Sequence, residues 1–206
     1  LVSCSENKTD ENIDDKFILK GMIENGYDHA FLYKSNNISA NDFILIDTLY
    51  FQTEFNKTYD LEANYYKLVF SDDVSIPLLI DLGQTIEINI DKNEEYTVVG
   101  SRDTDLFMAY ENFRKTTLEE TVYPLRKEIS ETDIKETELI ERLNKQLLQT
   151  EENYRDVLIH SVVAMESSIA IYPTIIRWNI NHINYYDSIS QVFTTRFPNS
   201  NMSAEI

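Results

Sequence analysis

The stretch from Phe17 to Ser101 most narrows what this chain can become, because strand-type runs follow one another through it with no helical period between them. The clearest is Thr85-Ile86-Glu87-Ile88-Asn89-Ile90, which alternates apolar and polar residues at every step. Side chains along a strand point to opposite faces in turn, so this pattern gives one buried and one wet face. Phe17, Leu19 and Gly21 alternate with Ile18, Lys20 and Met22 ahead of the turn dipeptide Asn25-Gly26. Further runs follow at Ala30–Lys34, Phe43–Phe51, Phe55–Leu61, Tyr65–Phe70, Val74–Ile80 and Tyr96–Val99. Pro77 cannot donate to a ladder, so it marks its run as an edge or a bulge. Eight short strands separated by polar turns predict an antiparallel sandwich or barrel over residues 17–101.

After Gly100 the period changes, and residues 102–206 read as a helical region, giving an α+β chain. Ser101 or Thr104 can cap a helix carrying Leu106, Tyr110, Phe113 and Thr117 on one side. Pro124 predicts an end, a kink or a restart. Residues 126–155 are dense in Glu, Lys, Arg and Gln around a narrow stripe of Ile140, Leu143, Leu147 and Tyr154, which predicts a helical hairpin. From Val157 the chain turns apolar, predicting a buried helix before Pro173, then another over Ile183–Phe193 that ends at Phe197-Pro198-Asn199-Ser200.

Charge excludes some partners. The 206 residues hold 36 Asp and Glu against 18 Lys and Arg, a net charge of −18. There is no cationic excess to displace phosphate counterions, so nucleic acid is not an expected partner. Electrostatic adhesion to anionic lipid is disfavoured for the same reason. Cys4 is the only cysteine, which rules out an internal disulfide, a Cys-x-x-Cys pair and a cysteine zinc site.

Leu1-Val2-Ser3-Cys4 resembles a bacterial lipobox, with an apolar residue at −3, a small one at −1 and Cys4 as the lipidated residue. Residues 1–4 then form a lipobox remnant and 5–16 a disordered tether, since residues 5–15 carry one apolar side chain, Ile13. Lipid chains on Cys4 would make the membrane a partner and the cell envelope the location, facing the periplasm or lying on the outer-membrane surface. Asp10-Glu11 soon after Cys4 partly resembles the surface-export signal of Bacteroidetes lipoproteins.

Catalytic constellations do not emerge. His29, which reads as a turn residue, His160, which reads as helical, and His182, near Trp178, lack a metal-ligand spacing. No Gly-x-Ser-x-Gly motif surrounds a serine, and Gly100-Ser101 reads as a turn and cap. Four glycines make no phosphate loop. Asp72-Asp73 and Glu94-Glu95 fall in expected turns, where solvated acids are ordinary. No cofactor is expected, and the chain reads as a non-enzyme.

Several pieces in order resemble the N-terminal domain of unknown function that precedes a thioredoxin-like domain in Bacteroidetes lipoproteins. They are Phe17-Ile18-Leu19-Lys20-Gly21, Phe31-Leu32-Tyr33-Lys34, Leu45-Ile46-Asp47-Thr48, Tyr65-Tyr66-Lys67-Leu68, Ile80-Asp81-Leu82-Gly83-Gln84-Thr85-Ile86-Glu87-Ile88 and Tyr96-Thr97-Val98-Val99-Gly100-Ser101. Ser168-Ile169-Ala170 and Arg196-Phe197-Pro198-Asn199-Ser200 resemble the segment joining that domain to its redox partner. The resemblance implies an accessory domain of a thiol–disulfide oxidoreductase-type protein. It would position the redox domain or touch its partner, with Tyr65 and Tyr66 as candidate contacts on a Tyr-rich sheet face. The competing expectation is a stand-alone surface lipoprotein that binds a ligand or glycan through aromatic residues. Asp47-Thr48-Leu49 and Asp187-Ser188-Ile189 resemble the short Bacteroidetes O-glycosylation pattern, making Thr48 and Ser188 candidate attachment sites.

Overall fold

The computed structural model describes residues 15–175 and 183–206. Two compact units result: one of residues 15–34 and 44–101, the other of residues 35–43 and 102–206. Cys4 and His182 lie outside the described residues.

The first unit is a β-sandwich. Its strands are β1 (Phe17–Ile23), β2 (His29–Asn37), β3 (Asp42–Tyr50), β4 (Glu54–Tyr59), β5 (Asn64–Val69), β6 (Ser75–Ile80), β7 (Thr85–Ile90) and β8 (Tyr96–Val99). They form two open four-stranded sheets, β4-β1-β7-β8 and β3-β2-β5-β6, instead of a closed barrel. The expected antiparallel pairing holds for β1–β4, β2–β5, β5–β6 and β7–β8. β1 and β7 differ, running parallel with Leu19 opposite Ile86. Between them the chain has crossed to the other sheet, so no hairpin fixes their relative direction.

Alternation decides the core. Phe17, Leu19 and Ile23 of β1 meet Tyr66 and Leu68 of β5, Ile76 and Leu78 of β6, and Ile86, Ile88 and Ile90 of β7. Phe17 stacks on Tyr59 at 5.3 Å between centroids and tilts against Tyr66 at 5.4 Å, so its ring joins the two sheets. Pro77 sits in β6, an edge strand, as its missing donor requires.

One polar cluster links β3 of one sheet to β4 of the other. The Asp47 carboxylate accepts a hydrogen bond from the Tyr59 hydroxyl at 2.7 Å and an ion pair from Lys57. Burial pushes the Asp47 carboxyl up, but the Lys57 and Tyr59 hydrogen bonds and the Lys57 charge together hold it below its usual value. A depressed folded pKa contributes stability above the unfolded value near 3.8, and that stability is lost as pH falls through the folded pKa. Asp47→Ala strands the buried Tyr59 hydroxyl, and is expected to cost about 1–3 kcal/mol at neutral pH. In denaturant titrations the gap between wild type and Asp47→Asn should narrow below about pH 4. A gap unchanged at pH 3 would show that the charge of Asp47 does not stabilise the fold.

The second unit is helical: α1 (Arg102–Thr117), α2 (Tyr123–Glu131), α3 (Thr137–Val163), α4 (Ile171–Ile175), α5 (Ile183–Arg196) and α6 (Asn201–Glu205). Of the three outcomes expected at Pro124, the structure takes the restart, with Pro124 as a first-turn residue of α2. A π-helical turn at Leu118–Val122 links α1 to α2, with the Tyr123 N–H bonded to the Leu118 carbonyl, and Pro124 then sits in the first turn of α2. Widening the turn there accommodates a ring that would otherwise press on the preceding turn. The expected hairpin forms between this rod and α3, whose 27 residues make it longer than the charged stretch alone implied. Phe113 stacks on Tyr154 at 6.4 Å, and Arg126 pairs with Glu151 at 2.7 Å.

The apolar stretch from Val157 is not one helix up to Pro173. α3 stops at Val163 and residues 164–170 turn, with Glu166 at φ 56°. This turn is held from inside: the buried Ser168 hydroxyl donates to Asp103 in the first turn of α1 and accepts the Ala170 N–H. Tyr172 of α4 accepts the Ile38 N–H at 3.2 Å, and burial pushes its phenol up to about 12.

Candidate functional site: an aromatic sheet face

β2 divides its side chains sharply. Ala30 and Leu32 are buried in the core, while His29, Phe31 and Tyr33, two residues apart, share the opposite face and are half-buried. The His29 and Phe31 rings meet edge to face at 5.0 Å, and Phe31 and Tyr33 lie 6.5 Å apart. Tyr50, the last residue of β3, brings a ring 80% exposed to 6.1 Å from His29. On the other side of β2 the register sets Phe31 opposite Val69 and Tyr33 opposite Lys67. The next strand adds Pro77 opposite Lys67 and Ser75 opposite Val69.

The face is therefore mainly aromatic with polar atoms at its margins. The Lys67 ammonium lies 5.9 Å from the centre of the Tyr65 ring, and burial pulls its pKa down. His29 hydrogen-bonds the exposed carboxylate of Asp28 at 2.6 Å, and that bond holds the Asp28 carboxyl below its usual value.

The two tyrosines named from sequence separate. Adjacent residues of a strand face opposite ways, so only one of them can belong to this face. Tyr66 is fully buried in the core, its hydroxyl donating to the Glu62 carbonyl at 2.6 Å. Tyr65 carries the outer-face parity but is only 7% exposed. Neither is the open contact residue that the sequence suggested. The exposed ring is Tyr50, a strand-end residue that a search for tyrosines in the middle of runs passes over. Lys67 was the available signal, since a lysine two residues after Tyr65 marks that parity as the outer one.

The remaining candidates are placed as follows. Thr48 is half-buried within β3, and Ser188 is exposed on α5, where its hydroxyl donates to the Tyr185 carbonyl. Ser101 is buried, and its hydroxyl donates to the Leu79 carbonyl at 2.5 Å, a structural bond. Gly100 beside it stands at φ 99°. Asp72 and Asp73 are exposed in the β5–β6 turn. Glu94 accepts the Tyr27 hydroxyl at 2.7 Å. His160 bonds its own helix at the Asp156 carbonyl. Among the described residues no three His, Cys, Asp or Glu side chains gather to hold a metal ion. Among them, too, no helix is long and apolar enough to cross a membrane.

No protein-family profile matches the chain, and no curated protein is significantly similar to it.

Proposed function

We propose that this chain is a non-catalytic binding module of a lipid-anchored cell-envelope protein of the thiol–disulfide oxidoreductase type. The sandwich contacts a protein partner, or a thioredoxin-like domain in the same polypeptide, through the aromatic face of β2 and Tyr50. The observation that supports this reading is the exposed Tyr50 ring beside the His29–Phe31–Tyr33 row. Tyr rings supply large contact area with few torsions to freeze, and they are enriched where proteins meet. The sequence resemblance adds the redox context and Cys4 adds the anchor.

The test has two parts. Cells expressing the wild type should incorporate labelled palmitate that Cys4→Ala does not; equal labelling rejects the anchor. Reading the gene beyond Ile206 should reveal a thioredoxin-like domain with Cys-x-x-Cys. With that domain joined, Tyr50→Ala should lower disulfide transfer to a protein substrate while leaving the melting temperature unchanged. Transfer undiminished in that variant would remove the face from the mechanism.

The second reading, glycan binding, rests on the same ring. An open Tyr50 with half-exposed His29 beside it is a platform on which a sugar ring can stack. In affinity electrophoresis through soluble polysaccharides, this reading expects retardation of the wild type that Tyr50→Ala loses. Migration unaffected by any polysaccharide rejects it.

A further inference from the structure

The four sheet edges are not alike. β8 is only four residues long. β6 contains Pro77, and its Leu79 carbonyl takes the Ser101 hydroxyl. β4 carries Glu54 and Lys57. Shortness, proline and charge are how natural sheets keep edges from pairing with other chains. The edge strand β3 has nine residues, no proline and no lysine, and its two carboxylates, Asp42 and Asp47, flank an unbroken apolar run, Phe43-Ile44-Leu45-Ile46. Ile44 is 42% and Leu45 52% exposed. Successive side chains point to opposite faces, so the edge is open on both. Among the described residues no strand pairs with its outer side.

We propose that β3 is a homodimerisation edge, with two copies of the chain joining antiparallel through it so that the second sheet continues across a two-fold axis. The sequence of the edge selects a second copy as the occupant. A two-fold axis perpendicular to a sheet pairs residues of equal parity, and an axis through Leu45 sets Leu45 against its own counterpart. Ile44 then faces Ile46 of the other copy, and Ile46 faces Ile44. These three apolar cross-strand pairs occupy the centre. Asp42 falls opposite Thr48 and Phe43 opposite Asp47, so no carboxylate meets a carboxylate directly. Asp47 is already neutralised by Lys57, and Asp42 accepts the Asn36 amide at 2.7 Å. The net charge of −18 opposes association at long range, and salt screens it beyond about 8 Å at physiological ionic strength. The dimer should therefore strengthen as salt is added.

Light scattering on the full chain across a dilution series tests this. The expected result is twice the monomer mass when concentrated, with the dimer persisting to lower concentration at higher salt. Leu45→Lys sets two ammonium groups against each other across the axis and should give a monomer with an unchanged circular dichroism spectrum and melting temperature. Leu148→Lys, at an exposed position on α3, should leave the dimer intact. Hydrogen exchange gives a second readout without mutation, since every second amide among 43–46, those directed away from β2, should gain protection with concentration. Three results overturn the proposal. One is a dimer that survives Leu45→Lys. Another is a dimer lost in Leu148→Lys, which would place the assembly on the helical hairpin. The third is a monomer at every concentration, which would leave the edge to an extended segment of a different protein.

Discussion

Gly21→Ala is expected to destabilise the sandwich by roughly 3 kcal/mol, about the upper end of what overpacking a core costs. Gly21 lies in β1 between β4 and β7, opposite Phe55 on one side and Ile88 on the other. A Cβ built there stands 2.2 Å from the Ile88 carbonyl oxygen and 2.7 Å from the Phe55 ring. The ring can rotate away at some cost. The carbonyl cannot, because it belongs to a central strand, so β1 and β7 must separate and strain the parallel ladder. For a domain of this size each kcal/mol moves the melting temperature by roughly 4–8 °C, so a fall of more than about 10 °C is expected. Gly26→Ala is the control. Gly26, unlike Gly21, has a positive φ, 91°, and nothing lies within 4 Å of a Cβ there. Its cost should be that of backbone conformation alone, about 1 kcal/mol. Equal melting temperatures for the two variants would mean that the close approach at Gly21 does not exist.

Gly21 also shows how far the sequence could be read. Its place in an alternating strand was visible, but its neighbours were not, because they come from strands 34 and 67 residues away. The eight strands were legible for a local reason: each is bounded by turn residues such as Asn25-Gly26 or Asp81-Leu82-Gly83-Gln84, and the turn chemistry acts within a few residues. Which strands share a sheet is a long-range matter, and any alternating strand satisfies either sheet equally well. The parallel β1–β7 pair was hidden for that reason. In the helical unit Pro124 announced a disturbance, but whether a helix breaks or widens depends on what Phe113 and Tyr154 gain by keeping the rod continuous. The aromatic face was half legible. Phe31 and Tyr33 alternate plainly with Ala30 and Leu32, whereas His29 reads as a turn residue and the structure makes it the first residue of β2; aromatic residues are also as welcome in a core as outside it. On β5 the same ambiguity surrounds Tyr65 and Tyr66, and Lys67 resolves it.

Tyr66→Ala is the second large effect, expected at about 3–5 kcal/mol, the usual cost of emptying an aromatic site in a core. Tyr66 is wholly buried, and its ring supports Phe17, which in turn stacks on Tyr59. Removing it leaves a cavity where both sheets meet, and a domain with a typical stability of roughly 5–15 kcal/mol keeps little of it. Tyr66→Phe separates the ring from the hydroxyl. It retains the packing and leaves the Glu62 carbonyl without its 2.6 Å donor, for an expected loss of about 1 kcal/mol. Burial pushes the Tyr66 phenol well above its ordinary value of 10.0, and the nearby charge of Glu62 adds to the rise. A raised folded pKa contributes stability that is complete below the unfolded value and is lost as pH climbs toward the folded one. Wild type should therefore lose its advantage over Tyr66→Phe as pH rises above about 10. These results bear directly on function, because a surface contact residue behaves in the opposite way. Tyr50→Ala should leave unfolding by urea unchanged and alter binding, while Tyr66→Ala should collapse the urea midpoint. If Tyr66→Ala keeps its midpoint, the phenol is not in the core, and the assignment of the outer face to Tyr50 and His29 fails with it.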